Sequence, residues 1–160
     1  MNKKMKIDKL DLEIIKHLQE DARVSFRYLG KKLKVPHTTI FTRAEKLIKK
    51  GIIKKFSAII HPHDVGLQMG FIIINAPPAR SKEIAERIAS FNEARKVFRT
   101  FDGKIIAKVV VPREHHGLEE FLSKLRLDND MTVYAVHDIV KFEDSIHPDL
   151  IKDTEFYKEK

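Results

Sequence analysis

The chain has 160 residues, enough for one ordinary domain or two small ones. Apolar residues at 42% and charged residues at 34% suit a packed core beneath a charged surface and exclude wholesale disorder; no run approaches the roughly 20 apolar residues of a membrane helix. The net charge of +8 is unevenly placed, with 16 Lys and Arg against 7 Asp and Glu in residues 1–66, but 15 against 16 in residues 67–160.

A basic first part suits a polyanion, although a lysine-rich thermophile surface would give the same count. The first residues lead into charge rather than an apolar signal core. With no cysteine, disulfides, thiolate metal sites and a cysteine nucleophile are removed, which fits a reducing cytoplasm. The pattern of the helices decides between the two readings of the charge.

Leu10, Ile14, Ile15 and Leu18 recur at helical spacing over residues 8–22. Asp8 stands where it can cap that helix, and Asp11 and Glu13 lie near the positive end of its dipole. Ser25 is placed to cap a second helix carrying Phe26, Leu29 and Leu33. Pro36 ends it and opens a third, residues 36–50, with Ile40, Ala44, Leu47 and Ile48 on the buried stripe and Gly51 as its stop. A strand-like run, 52–60, follows as the expected wing.

Three short helices, a tight turn and a strand predict a winged helix-turn-helix whose third helix enters the DNA major groove. His37, Thr38, Phe41, Thr42 and Glu45 face away from the buried stripe. Of these, His37, Thr38, Phe41 and Thr42 are the candidates for base-edge contact, the phenylalanine through a thymine methyl or the sugar edge. Lys32, Arg43, Lys46 and Lys54 are the candidates for phosphate contact, within a wider rim of Lys31, Lys34, Lys49, Lys50 and Lys55. Each lysine taken singly also reads as a solvated surface charge.

Residues 61–68 read as a linker around Pro62 and Gly66. Residues 69–76 form an isoleucine-rich apolar run, expected as a strand covered on both faces, and Pro77-Pro78 stops it. Ser81 is placed to cap a helix bearing Ile84, Ala85, Ile88 and Phe91. Strands are expected over 95–101 and 104–111 around Asp102-Gly103, a tight-hairpin dipeptide. Leu118, Phe121, Leu122 and Leu125 mark a further helix, and residues 132–142 a last strand.

The order β-α-β-β-α-β predicts an α+β, ferredoxin-like module with one antiparallel sheet and two helices on one face, spanning residues 69–144 after a DNA-binding module of residues 1–60. Two helices cover only one face of such a sheet. Its apolar opposite face predicts a second copy, and a two-fold dimer would present two recognition helices to a palindromic site in double-stranded DNA.

Other chemistry finds little support. His61-Pro62-His63 and His115-His116 show no further ligand pattern, so no metal is expected. No phosphate loop, nucleophile elbow or zinc-protease motif is present, and no cofactor or catalytic residue is expected.

The run from Ile7 to Ile15, then 18–26 from Leu18 to Phe26, then Thr39-Ile40, Arg43, Leu47 and Gly51-Ile52-Ile53 resembles the DNA-binding half of the Lrp/AsnC, or feast/famine, family of transcription regulators. The ferredoxin-like order extends the resemblance over about residues 7–142. It implies a cytoplasmic regulator whose second module, of the RAM type, binds effectors and builds homodimers, tetramers or octamers. Lys34 replaces the family's turn glycine and must take a left-handed backbone or alter the turn; Pro36 replaces its capping serine.

The resemblance places a small-molecule site at the hairpin that holds Arg99, Phe101, Asp102 and Lys104. There the glycine is displaced and Lys104 stands near the expected aspartate, which favours an acidic effector or a purely structural hairpin. Asn129-Asp130 replaces a proline-glycine pair. The siroheme decarboxylases share this two-module architecture, but residues 98–109 lack their histidine and aromatic-rich stretch. Residues 145–160 run beyond the family's usual end. Ile146, Leu150, Ile151, Phe156 and Tyr157 suit either a short helix against a neighbouring subunit or a disordered tail. A sequence-tolerant architectural protein that coats or bends DNA stands as the alternative function.

Overall fold

In the computed structural model, which describes residues 6–114 and 116–159, the chain forms two units. The first takes the chain up to Ile59 and again from Glu143, and the second is Ile60–Phe142.

The first unit begins with a two-residue strand β1 (Ile7–Asp8) and the helix α1 (Lys9–Glu20). The Asp8 carboxylate accepts from the Asp11 amide at 3.0 Å, and the Asp11 carboxylate accepts from the Asp8 amide at 3.2 Å. This reciprocal cap satisfies amides that a helix start leaves open. Ser25 caps α2 (Phe26–Leu33) by accepting from the Tyr28 amide. α3 (His37–Lys49) starts at Pro36 without a side-chain cap, and the Pro36 carbonyl takes the Thr39 amide at 2.9 Å.

Lys34, between α2 and α3, adopts φ 56° and ψ 41°, the left-handed conformation that is the first of its two expected outcomes. Its side chain gains nothing from that backbone, so Lys34→Gly is expected to raise stability by about 1 kcal/mol. The shift in the urea midpoint measures it. Gly30 is the other constrained position, because a Cβ there would stand 2.8 Å from the Val35 carbonyl oxygen and 3.0 Å from the His37 amide nitrogen. Its bare backbone lets the turn close.

Leu12, Ile14, Leu18, Leu29, Ile40, Ala44 and Leu47 are buried together. Ile48, expected on the same stripe, is instead exposed, since the core side of α3 is filled by Ile40, Ala44 and Leu47. Residues 52–60 form no strand, which corrects the strand expected there. The Leu47 carbonyl draws the amides of Ile52 and Ile53 into a helix-terminal turn, and among the described residues no strand lies beside the rest to receive its hydrogen bonds. Phe56, Ile59 and Ile60 are exposed.

The C-terminal segment belongs to this unit and is folded against it rather than forming a tail. The Gln19 side chain holds Ile146 through both its carbonyl (3.0 Å) and its amide (2.7 Å). The short helix α6 (Pro148–Lys152) follows, and Ile151 and Tyr157 pack against the first unit's core. Strand β6 (Tyr157–Lys158) then pairs in parallel with β1, pairing Ile7 with Tyr157 and Asp8 with Lys158. Of the apolar positions that suggested an intermolecular helix, Ile151 and Tyr157 find partners within the chain, while Ile146 and Leu150 stay exposed.

The second unit opens with a 3-10 turn, Pro62–Val65, and continues as β2 (Leu67–Asn75), α4 (Ser81–Ala89), β3 (Ala94–Arg99), β4 (Lys104–Pro112), α5 (Gly117–Leu125) and β5 (Met131–Ala135). The sheet order is β3-β4-β2-β5, antiparallel throughout, which is the ferredoxin-like arrangement expected. Ile72, Ile74, Ile105, Ala107 and Val109 from the sheet pack with Ile84, Ile88, Phe121 and Leu125 from the helices.

Side chains alternate across each strand, so the intervening residues occupy the opposite face. There Phe71, Phe98 and Tyr134 are exposed, with Ile73 and Ile106 between them. Two local expectations change. Ser81 lies inside α4 rather than capping it, buried and accepting from Arg99 Nε at 3.1 Å. β5 ends at Ala135 rather than Phe142, because among the described residues β2 is its only partner and their pairing runs out at Gly70.

Candidate nucleic-acid interface

α3 turns Ile40, Ala44 and Leu47 inward, and the 3.6-residue period therefore turns Thr38, Thr42 and Lys49 outward, where all three are exposed. His37 is exposed at the helix start, and Phe41 is about half exposed. The Phe41 ring meets Phe26 of α2 edge-on at 6.1 Å, so it is anchored on the α2 side of the outward face. The Thr42 hydroxyl donates to the Thr38 carbonyl at 2.9 Å. That leaves its oxygen lone pairs to accept from a donor such as a base amino group.

The expected phosphate contacts separate in space. Lys46 is exposed on the flank of α3 and lines a groove with Thr42, Lys6 and Lys158. Lys54 places Nζ 3.3 Å from where a Gly51 Cβ would stand, at the C-terminal end of α3. Lys32 lies on the α1 side of α2, over the Tyr28 ring at 6.0 Å and beside Lys9, Leu10 and Glu13. Lys31, Lys34 and Arg27 instead line the depression at the start of α3 with His37. Sequence reasoning did not single out Arg27, though its i, i+4 spacing with Lys31 puts both on one helix face.

Arg43 has a different engagement. Its Nη1 donates to Asp8 at 2.5 Å and to Asp11 at 3.0 Å, and the Asp11 side chain is only 2% exposed. Arg43 therefore ties the recognition helix to the capping box of α1. Burial alone would raise the Asp8 pKa, but the hydrogen bonds from Arg43 and the Asp11 amide, with the guanidinium charge, bring it below the ordinary carboxylate value. The Asp8 hydrogen bond in turn raises Arg43.

At the β3–β4 hairpin the Thr100 amide donates to the Lys104 carbonyl, and the Gly103 amide to the Thr100 carbonyl. Gly103 at φ 88° closes a three-residue loop rather than a two-residue one. Asp102 accepts from the Thr100 hydroxyl and pairs with Lys104 at 3.2 Å. The hydroxyl first and the ammonium second hold its carboxyl below the usual range. Arg99 is turned to Ser81, and Phe101 stands fully exposed. The four effector candidates thus do not converge on one point. Among the described residues no group of three or more His, Asp or Glu could hold a metal ion, and His115 lies outside them.

A winged helix-turn-helix DNA-binding family model matches residues 7–54. The chain is 32% identical over 122 residues to an uncharacterized HTH-type transcriptional regulator of Pyrococcus horikoshii, covering 76% of this chain and 77% of that one. It is 35% identical over 117 residues to the HTH-type transcriptional regulator FL11 of the same species, covering 72% and 78%. The structure of E. coli AsnC superposes with a TM-score of 0.75 at 24% identity, over 86% of this chain and 96% of that one.

Proposed function

Since this chain belongs to the Lrp/AsnC family and is a helix-turn-helix transcription regulator, we propose that it reads palindromic double-stranded DNA as a homodimer, through the outward face of α3. The observation that carries this reading is the exposed Thr38–Thr42 face flanked by separate groups of cations. His37, Thr38, Phe41 and Thr42 stand toward the bases, and Lys46, Lys54, Lys31 and Arg27 toward the phosphates. Arg43 acts by fixing the angle of α3, and Lys32 sits farther from the base-reading face. A regulator of chromosomal DNA works in the cytoplasm, and no helix among the described residues is long and apolar enough to cross a membrane.

Thr42→Ala tests the base-reading role. Loss of the accepting oxygen is expected to weaken a selected palindrome by about 1–2 kcal/mol while leaving scrambled duplex nearly unchanged. Titration of both duplexes at one salt concentration checks it. Equal loss on both would point to the sequence-tolerant, architectural function instead.

The uncovered sheet face supports dimerisation, since Phe71, Phe98 and Tyr134 are exposed on it and such a surface is stabilised by a second copy. We further propose that the hairpin of Arg99, Phe101, Asp102 and Lys104 is structural in a single copy, because its polar groups are satisfied locally. No catalytic role is assigned to any residue, and the relatives are transcription regulators.

A further inference from the structure

We propose that the C-terminal strand β6 is part of the DNA-binding surface, where Lys158 adds a phosphate contact beside the recognition helix; this rests on the reading of α3 as the DNA-binding element. The parallel pairing of β6 with β1 places Lys158 opposite Asp8. The side chains of Lys6, Lys46 and Lys158 then line one groove of about 370 Å³ together with Thr42, Arg43, Asp8 and Asp11.

The charges in that groove leave room for an anion. Arg43 engages both carboxylates, and Lys6, Lys46 and Lys158 are exposed and make no ion pair among the described residues. Four cations against two carboxylates leave the groove positive. Its position selects the anion, because Thr42 lies on the outward face of α3 and Lys46 on the flank next to it. A helix seated in the major groove has a sugar-phosphate strand along each flank. The cations at Arg27, Lys31 and Lys34 serve the start of α3, and the groove with Lys158 serves its middle. The partner is therefore the phosphate backbone of the same duplex that α3 reads.

The arrangement also explains why the last segment is folded against the first unit. Gln19, Ile151 and Tyr157 hold it there, so Lys158 is presented from a paired strand rather than a free end, and little ordering is required when DNA binds.

The test is the salt dependence of duplex binding by the full chain and two variants, Lys158→Gln and Lys152→Gln. Lys152 sits on the same segment but is paired with Asp149 at 2.6 Å. Each phosphate contact contributes about 0.9 to the slope of log K against log salt. The homodimer carries Lys158 twice, so over a fourfold rise in salt the unmodified protein is expected to lose roughly 12-fold more affinity for a palindrome than Lys158→Gln. Lys152→Gln should keep the full slope. An unchanged slope in Lys158→Gln overturns the proposal, and so does an equal fall in both variants, which would reflect general charge. If the unmodified protein fails to bind any duplex at 50 mM salt, the DNA-binding reading itself fails, a result distinct from either.

Discussion

Ile106→Glu is expected to convert the protein from dimer to monomer and to weaken binding to a full palindrome by about 100-fold or more. The position follows from the sheet register. Ile106 of β4 lies between Phe98 of β3 and Ile73 of β2, and Ile73 pairs onward with Thr132 of β5. This row crosses the face opposite α4 and α5. The next row, Lys96, Lys108, Phe71 and Tyr134, already carries two lysines. The apolar row is therefore where a second copy gains most.

Within one copy Ile106 is partly exposed, so a glutamate there keeps access to water and costs the monomer little. In a two-fold interface each copy would bury one unpaired carboxylate, at several kcal/mol apiece. Light scattering at micromolar concentration distinguishes the outcomes. Affinity for a single half-site should stay the same, because α3 is untouched, while the gain from linking two half-sites disappears. A dimer mass unchanged in the variant would remove this face as the interface.

The sequence was most legible where one local rule acted alone. Asp8 and Ser25 cap as expected because an acceptor one residue ahead of a periodic apolar run has few competing uses. For Lys34 the resemblance left two outcomes, and the left-handed backbone is the one that keeps the turn between two well-marked helices unaltered. The strands of the second unit were readable from alternation and proline stops, within one or two residues for β2, β3 and β4.

What stayed hidden depended on partners distant in sequence. A strand over 52–60 requires a neighbour, and strand propensity says nothing about whether one is present. The C-terminal segment has the composition of an amphipathic helix, yet its place depends on Gln19 and on the edge of a two-residue strand 149 or more residues earlier. Lys158 therefore carried no signal of its nearness to Lys46. Arg43 was misleading for the opposite reason: an arginine on a recognition helix suits phosphate, and its two carboxylate partners become visible only when α1 is packed against α3.

That packing sets the last expectation. Arg43→Ala should lower stability at pH 7 by about 2–3 kcal/mol, toward the lower end for breaking a buried pair because Arg43 itself keeps 30% side-chain exposure. The main cost falls on Asp11, whose buried side chain loses the guanidinium as a hydrogen-bond donor. Arg43→Lys should recover only part of the loss, since a single ammonium cannot reproduce the planar fork that spans two carboxylates.

The pH dependence separates this anchoring role from a phosphate contact. The folded pKa of Asp8 lies below its ordinary 3.8, so the folded state binds fewer protons there than the unfolded chain. The associated stability is complete above the unfolded value and is lost as the pH falls through the lower folded value. The gap between the unmodified protein and Arg43→Ala, measured by urea unfolding, should therefore be full from pH 5 upward and narrow by the Asp8 share as the pH falls below about 4. DNA binding should weaken on every sequence alike, because a loosened α3 misplaces all its contacts together. A variant with full stability at pH 7 that loses only about 0.9 per protomer from its salt slope would return Arg43 to the phosphates instead.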